Sequence, residues 1–494
     1  MENSKALPTL GLALACAAFT FGLAVCAQAQ TVTDFANFDG VDGARPFGQT
    51  VTQATNGRFY GATTYSGGAS GIDGMGNVYE LTPSGKLSNF YSFCSLANCA
   101  DGANPIGTPI LGSDGNLYGV TAFGGSDAAG TTGSGTVYKL TLEGKLTTLY
   151  AFCPTLPCSD GLNPNGIIQA SDGNLYGATG GGGQFNDGTI FEITSTGEFK
   201  SLYSFCSLAD CVDGGAPQAP PIQGNDGNFY GTTVAGGSEN GGVFYELTAS
   251  GTYTVLHNFC YLPRANCPEG ATPGPIVQDA SGNFFGTTYQ GGSHAGNAYG
   301  FGTVFKITPA NQFSVLQSFN ILNAHPSWGV LLANDGNLYG STQGSVVTGI
   351  NNGTLFEITP ENKFTELYAF GEAYPGSNVN TPFFQGTDGN LYGTTTYGGV
   401  VPYNYGTVFR LSNGLSPLVK TVPVRGTVGT SVLILGNHLT GSTSVTFNGV
   451  PAQFVVSKDS FIRAIVPAGA TTGTVSVVTP SGTLNSNPQF VVTK

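Results

Sequence analysis

The residues of this 494-residue chain that are best suited to bind a ligand or catalyse a reaction are acids that recur at one position of a repeated segment. Each acid stands four residues before a proline in the pattern D-G-x-x-P, and the set is Asp42, Asp101, Asp160, Asp213 and Glu269. Hard carboxylate oxygens grouped around a channel would suit a divalent cation, with Ca2+ as the candidate. The alternative is that each acid hydrogen-bonds to the backbone and shapes only its own turn, and we favour this second interpretation.

Aromatic side chains form a second candidate set. Trp328 is the single tryptophan of the chain, and Tyr289, Tyr397 and Tyr403 fall in corresponding loop regions, together with Tyr65, Phe123 and Tyr405. Aromatic rings can stack on a sugar or bury area against a protein. These residues therefore indicate a binding face for an extracellular glycan or protein, with simple coverage of the sheet ends as the alternative.

Catalytic patterns are sparse. The four histidines are His257, His294, His325 and His438, and neither a G-x-S-x-G elbow nor an H-E-x-x-H helix occurs. A glycan-cleaving hydrolase or lyase would need two carboxylates roughly 5–10 Å apart, at least one of them with a raised pKa. We predict no catalytic residue and keep such an enzyme as the alternative function.

These candidates belong to seven copies of one unit. The anchor DGNLYGTT and its variants place a glycine at 61, 119, 177, 231, 286, 340 and 393. Each unit holds four candidate strands, typified by GTPIL (strand a), NLYGTT (b), GTVFKIT (c) and TLYAF (d). Strand d follows its partners only six times, and the missing copy, FANF, stands at 35–38. A ring closed by that strand leaves few exposed edges, so we predict a seven-bladed β-propeller rather than a parallel β-helix.

The strand order assigns the connections to two faces of the ring. The long d–a and b–c connections share one face, here called the loop face, and the short a–b and c–d turns share the other, the turn face. Long connections on a rigid scaffold are where binding residues collect, so the loop face is the predicted functional face. The Asp-Gly-Asn turns lack the further acids of a calcium loop, and we predict hairpin turns there.

The cysteines and the N-terminus predict an exported protein. Residues 1–29 are typical of a signal peptide, with Lys5, an apolar run and Ala27-Gln28-Ala29 as the cleavage site. No later segment reaches ~18 uninterrupted apolar residues, so we expect no membrane span after signal removal. The remaining cysteines form four close pairs, which predict disulfides rather than zinc ligands: Cys94/Cys99, Cys153/Cys158, Cys206/Cys211 and Cys260/Cys267.

The net charge of −13 argues against nucleic acid and anionic membranes as partners. We expect a monomer located outside the cell, on its surface or in the periplasm.

The repeated DGNLYGTT and GTVFKIT segments resemble the GloVer, or choice-of-anchor, family of exported bacterial tandem-repeat proteins over about residues 31–411. The resemblance implies export and a repeat architecture, and it implies no particular activity.

The C-terminal segment has a different sequence pattern. Its short segments of alternating apolar and polar residues predict a small antiparallel sandwich. Gly436, VTFNGVPA (445–452) and AIVPAGATTGTVSVVTPSG (464–482) resemble the IPT/TIG family of immunoglobulin-like domains, which implies a spacer or interaction module. The predicted all-β protein thus has a signal peptide (1–29), a propeller (30–411), a linker (412–417) and an immunoglobulin-like domain (418–494).

Overall fold

A computed structural model describes residues 30–46, 50–65, 74–125, 133–260, 267–293, 300–344, 352–371, 376–379, 381–399 and 404–493. The predicted signal peptide and Tyr403 lie outside these residues. Seven small antiparallel sheets precede a two-sheet sandwich. Hydrophobic clusters join each sheet to the next, and one of them joins the seventh sheet to the first. The architecture is the predicted seven-bladed propeller followed by an immunoglobulin-like sandwich.

Blades 1 to 3 each contain four strands in the order a, b, c, d. Blade 1 begins at the second strand of the chain, because the first strand belongs to blade 7. Blade 1 has β2 (Thr52–Gln53), β3 (Phe59–Thr63), β4 (Asn77–Leu81) and β5 (Leu87–Ser92). Blade 2 has β6 (Ala103–Leu111), β7 (Leu117–Phe123), β8 (Thr136–Leu140) and β9 (Leu146–Ala151). Blade 3 has β10 (Leu162–Gln169), β11 (Leu175–Gly181), β12 (Thr189–Ile193) and β13 (Phe199–Ser204). Short 3-10 helices at Ala97–Cys99 and Ala209–Cys211 lie in two d–a loops.

Blades 4 to 6 follow the same order. Blade 4 has β14 (Ile222–Gln223), β15 (Phe229–Thr232), β16 (Val243–Leu247) and β17 (Tyr253–Asn258). Blade 5 has β18 (Ala271–Gln278), β19 (Phe284–Gln290), β20 (Thr303–Ile307) and β21 (Phe313–Ser318). Blade 6 has β22 (Leu331–Leu332), β23 (Leu338–Thr342), β24 (Thr354–Ile358) and β25 (Phe364–Ala369).

Blade 7 is built from both ends of the propeller. It contains β26 (Ser377–Val379), β27 (Phe384–Gln385), β28 (Leu391–Tyr397) and β29 (Thr407–Ser412), with β1 (Thr31–Asn37) as the outer strand. Strand β1 pairs antiparallel with β29, and its register runs from Thr31 opposite Ser412 to Asn37 opposite Thr407. Phe38 follows this strand, is buried, and packs edge-to-face on Tyr79 of blade 1 at 5.0 Å between ring centroids. This pairing confirms the predicted closure.

The repeated glycine of the anchor has a packing reason. In blade 7, a Cβ on Gly393 would overlap the ring of Phe409, because the aromatic side chain of strand c lies across the backbone of strand b. The same pairing recurs in the other blades, at Gly61/Tyr79, Gly119/Tyr138, Gly177/Phe191, Gly231/Tyr245, Gly286/Phe305 and Gly340/Phe356. The anchor is therefore a core-packing motif, since glycine alone lets the ring approach this closely.

The C-terminal sandwich begins after blade 7. Its first sheet orders β30 (Lys420–Val422), β32 (Ser431–Leu435), β36 (Phe461–Ile465) and β35 (Phe454–Lys458). Its second sheet orders β34 (Val450–Pro451), β33 (Ser444–Phe447), β37 (Val475–Thr479) and β38 (Gly482–Asn485). Strands β31 (Arg425–Gly426) and β39 (Val491–Val492) pair in parallel beside them. One buried apolar cluster fills the space between the sheets.

The sandwich lies on the turn face of the propeller. The Arg425 guanidinium donates to the carbonyl oxygens of Gln223 and Gly224 in the a–b turn of blade 4, at 2.5 Å each. Ser460 Oγ donates to the Thr55 carbonyl of blade 1 at 2.6 Å, and Asn487 Nδ2 to that of Leu332 in blade 6 at 3.2 Å. Contacts to blades on different sides of the ring mean that the sandwich spans the turn face.

Candidate binding face

The loop face holds the d–a and b–c connections together, as the strand order predicted. The structure joins all four predicted cysteine pairs as disulfides. The second cysteine of each pair accepts a backbone hydrogen bond, of 2.8–3.0 Å, from a glycine N–H in the b–c connection of the next blade: Gly125 to Cys99, Gly183 to Cys158, Gly237 to Cys211 and Gly292 to Cys267. The disulfide loops are thus tied into the face and form a rigid rim.

Three of the predicted acids organise their own disulfide loops. Asp213 Oδ2 accepts hydrogen bonds from the Tyr203 hydroxyl at 2.7 Å and from the backbone and hydroxyl of Ser207, both at 2.8 Å. Burial alone would raise the pKa of Asp213, but these hydrogen bonds hold it below its usual value. Asp101 has the equivalent contacts with Tyr91 and Ser95, and Asp160 accepts from Tyr150 and from the Cys153 N–H. This geometry matches the turn-shaping interpretation.

Glu269 takes part in a substituted version of the same contact. Its carboxylate lies 3.3 Å from His257 Nε2. His257 stands where the three preceding disulfide loops have a tyrosine, and Glu269 stands where they have an aspartate. The imidazole of His257 also stacks on Phe313, with ring centroids 4.4 Å apart. Burial lowers the pKa of His257, and the Glu269 carboxylate opposes that shift. His257 thus packs on a neighbouring aromatic ring and has an acidic partner.

Asp42 differs from its counterparts because its loop has no disulfide. Its Oδ1 accepts from the Asp39 N–H at 3.0 Å, while Asp39 Oδ1 accepts from Val41 and Asp42 N–H groups at 2.8 and 3.1 Å. Burial, helped by the Asp39 charge, raises the pKa of Asp42 to about 7. For Asp39, burial acts in the same direction, but hydrogen bonds from the loop lower its pKa overall.

The five acids do not converge on one point in the described part of the chain. There, the single group of three His, Cys, Asp or Glu ligand atoms within 4.8 Å of one another is Asp187 with Cys206 and Cys211, and both cysteines are in a disulfide. The Asp-Gly-Asn turns also use their carboxylates internally. In each of the five, a tyrosine hydroxyl donates to the aspartate at 2.7–2.8 Å, as Tyr118 does to Asp114.

A ring of left-handed residues surrounds the inner part of the loop face. One residue per blade has a φ between 51° and 58°, and the set, here called the left-handed ring, is Arg45, Asn104, Asn163, Ala216, Thr272, His325 and Asn378. In the first six blades the N–H of this residue donates, at 2.6–3.0 Å, to a b–c carbonyl of the preceding blade: Tyr405, Met75, Ser134, Asp187, Gly241 and Phe301 in turn. The unusual backbone therefore joins neighbouring blades.

The register of blade 7 corrects one sequence alignment. Alignment by proline matches Asn378 to the acid position, four residues before Pro382. In the structure Ser377 pairs with Tyr397 and Val379 with Thr395, so Val379 occupies the proline position and Asn378 belongs to the left-handed ring. Proline is a poor landmark here because the backbone pairing, not the ring of the proline, fixes this register.

Three of the predicted aromatic residues contact two different members of the left-handed ring. Tyr397 and Tyr65 flank Arg45, whose guanidinium carbon lies 5.5 and 5.9 Å from their ring centroids. Tyr289 instead stacks on His325 at 4.6 Å, and its carbonyl lies 2.9 Å from His325 Nδ1. Trp328 is half-buried beside Gly274 of blade 5.

Sequence reasoning missed Arg45 and gave His325 no role. A signal was present: both residues precede the proline of a d–a loop, where Asn104 and Asn163 stand in blades 2 and 3. The repeat therefore supplies its own reference for which positions are specialised.

A cavity of about 490 Å3 lies away from the loop face, between the sandwich and blades 5 and 6. Five blades carry a strand-a glutamine whose Oε1 accepts a turn N–H of the preceding blade at 2.8–3.1 Å, namely Gln53, Gln169, Gln223, Gln278 and Gln385. Leu111 and Leu332 replace this glutamine in the other two. Leu111 packs with Leu435 of the sandwich, and Leu332 lines the cavity. The sandwich thus packs on the propeller where Leu111 replaces the glutamine, and it leaves a cavity where Leu332 replaces it.

Comparison with known proteins agrees with this architecture. A fungal alcohol oxidase of the AA5 family, solved in complex with copper, aligns at 12% identity over 94% of this chain and 99% of its own, with a TM-score of 0.52. A Mycobacterium tuberculosis puromycin-hydrolyzing peptidase (12% identity, 83% and 62% coverage, TM-score 0.45) and a luciferin-regenerating enzyme (11%, 79% and 98%, 0.38) are more distant. At such identities the likeness to the oxidase shows the fold alone.

No curated protein matches the chain. In the described residues, no helix has the length and apolar character to cross a membrane. The sequence model of the Gloeobacter/Verrucomicrobia repeat matches residues 19–220, 130–300 and 216–447, and that of the IPT/TIG domain matches 418–492. Since the repeat covers most of the chain, the protein belongs to the Gloeobacter/Verrucomicrobia repeat family and ends in an IPT/TIG domain.

Proposed function

We propose that this is an exported, non-catalytic binding protein whose propeller takes a glycan or protein ligand on its loop face. The observation that carries the proposal is the position of the IPT/TIG domain. Because Arg425, Ser460 and Asn487 fix that domain on the turn face, the open end of the ring is the loop face. That face also carries the exposed aromatic residues Tyr65 and Phe123, at 39% and 40% exposure.

The rigid rim supports a binding role. Four disulfides and the buried acids Asp101 and Asp213 hold the d–a loops in one conformation, which lowers the entropic cost of binding. An IPT/TIG domain on the opposite face suits a spacer that presents the propeller away from an attachment point.

The alternative is an extracellular hydrolase or lyase that cleaves glycans with acids of the same face. Asp39 and Asp42 have the opposed pKa shifts that such an enzyme needs. However, Asn320 and Asn323 form the same turn in the loop before blade 6, where Leu322 N–H donates to Asn320 and Asn320 N–H donates to Asn323. Two asparagines cannot act as general acid and base, so we assign this geometry to the turn and favour binding.

A glycan array and a pull-down from extracellular material, both with the full mature chain, test the proposal. We expect a ligand whose binding falls in a Tyr289→Ala/Tyr397→Ala double variant. The control is Val455→Ala, which removes an apolar side chain of 66% exposure from the IPT/TIG domain. Unchanged binding in the double variant, or loss in the control alone, would place the ligand elsewhere and refute a loop-face site.

A further inference from the structure

Arg45 is held between two tyrosine rings. The rings of Tyr65 and Tyr397 lie 5.9 and 5.5 Å from its guanidinium carbon, and no carboxylate among the described residues lies within ion-pair distance of it. Aromatic faces attract the cation but accept no strong in-plane hydrogen bond, so the planar fork remains available for a carboxylate. The three side chains come from blades 1 and 7, at the closure of the ring.

The repeat shows that arginine is not needed for the backbone at this position. A left-handed φ costs an ordinary L-residue roughly 1–2 kcal/mol, and asparagine tolerates it best. Asparagine stands at three of the seven positions of the left-handed ring, Asn104, Asn163 and Asn378, with the same φ. Arginine at position 45 is therefore a less stable choice that the fold does not explain.

One buried donor of this cluster has no partner in the described part of the chain. It is Nε of Arg45. A buried donor that the fold leaves unpaired is consistent with a ligand acceptor at the guanidinium.

We propose that Arg45, Tyr65 and Tyr397 form a subsite for a hexuronate unit of an acidic glycan, with Arg45 binding the carboxylate and a tyrosine ring packing on the sugar. The inference rests on the proposed function, because it names the ligand class for the loop face. The sugar carboxylate meets the guanidinium fork.

Among the described residues, the charge of the protein gives Arg45 particular weight as a cation of the loop face. With a net charge of −13, the molecule repels anionic polymers at long range. The other Lys and Arg side chains in the described part of the propeller lie in strands or at the turn face, namely Arg58, Lys86, Lys139, Lys145, Lys200, Lys306, Lys363 and Arg410. An acidic glycan would thus be bound locally, one uronate at this cluster, and not as a polyelectrolyte.

Calorimetric titration of the mature chain with hexamers of galacturonate, mannuronate and glucuronate tests the subsite. We expect at least one hexamer to bind, and its methyl ester to bind at least about tenfold more weakly, because esterification removes the carboxylate charge. Arg45→Asn, which copies the sibling residue, should weaken uronate binding at least about tenfold without lowering Tm. Arg463→Asn removes the same charge from an exposed site on the IPT/TIG domain and should bind normally. Tyr397→Ala should weaken binding more than Tyr397→Phe.

The outcomes separate this inference from the proposed function. If no uronate binds, or Arg45→Asn and Arg463→Asn behave alike, the uronate subsite is wrong. The proposed function survives that result when a neutral glycan or a protein still binds in a manner sensitive to Tyr289→Ala/Tyr397→Ala. If that double variant changes no binding of any kind, both proposals fail.

Discussion

Lys420 of the IPT/TIG domain places its Nζ 3.4 Å from the centroid of the Phe384 ring, in strand a of blade 7. Because strand a is the innermost strand of a blade, this lysine reaches towards the axis of the ring. Burial lowers the pKa of Lys420 to about 7, while the charge of Asp388 acts in the opposite direction. A titratable group thus lies at the contact between the two domains.

Lys420→Met should change how stability depends on pH. The folded-state pKa is below the usual value of 10.5, so the unfolded chain binds a proton that the folded chain lacks between about pH 10 and pH 7. The wild-type protein should lose stability as pH falls through this window, by at most roughly 1.4 kcal/mol per pH unit. The methionine variant should lack this slope, as unfolding at pH 7.5 to 9.5 would show. Lys458→Met, at an exposed lysine, is the control. Equal slopes for the wild type and Lys420→Met would contradict the assignment.

Removing residues 31–38 should open the propeller. The deletion takes away β1 and Phe38, and with them the outer strand of blade 7 and the edge-to-face contact with Tyr79. We expect a fall in Tm of well over 5 °C and rapid proteolysis of blade 7, because β29 becomes an unpaired sheet edge and the apolar contact between blades 7 and 1 loses Phe38. A chain that starts at Thr31 serves as the reference. Melting of the truncated protein at the reference temperature would show that β1 does not close the ring.

The fold was predictable because its evidence is local and repeated. Seven anchors defined the blades, and counting strands d located the closing strand at FANF. The candidate site was less accessible. Arg45 and Tyr397 lie at opposite ends of the propeller sequence and meet only because the ring closes. The position of the IPT/TIG domain could not be predicted either. Arg425 binds backbone carbonyls, and such contacts require no particular side chain in the propeller sequence.

Asp213→Asn should destabilise the third disulfide loop. The carboxylate accepts four hydrogen bonds, from Tyr203, from Leu208 and twice from Ser207, and an amide would turn a donor towards some of these donors. We expect a loss of roughly 2–4 kcal/mol in unfolding free energy at pH 7. The pKa of Asp213 is lowered on folding, so the stability that its charge contributes is lost as pH falls through the folded-state pKa. The difference in unfolding free energy between the wild type and Asp213→Asn should therefore become smaller in acid. Asp210→Asn, exposed in the same loop, should change little; an equal loss there would refute a specific role.

Asp42→Asn should stabilise the protein at neutral pH and change little in acid. The pKa of Asp42 rises from 3.8 to about 7 on folding, so the carboxyl is held protonated, and its contribution to stability is lost as pH rises from about 4 to 7. The amide keeps an oxygen to accept the Asp39 N–H and never ionises, as Asn323 shows in the equivalent turn. Unfolding measured at pH 4 and pH 8 should therefore show a higher free energy of unfolding for the variant than for the wild type only at pH 8. Glu143→Gln, at an exposed turn, should match the wild type at both pH values. A variant less stable than the wild type at pH 8 would mean that the Asp42 charge is required, and the paired-carboxylate enzyme would then regain support.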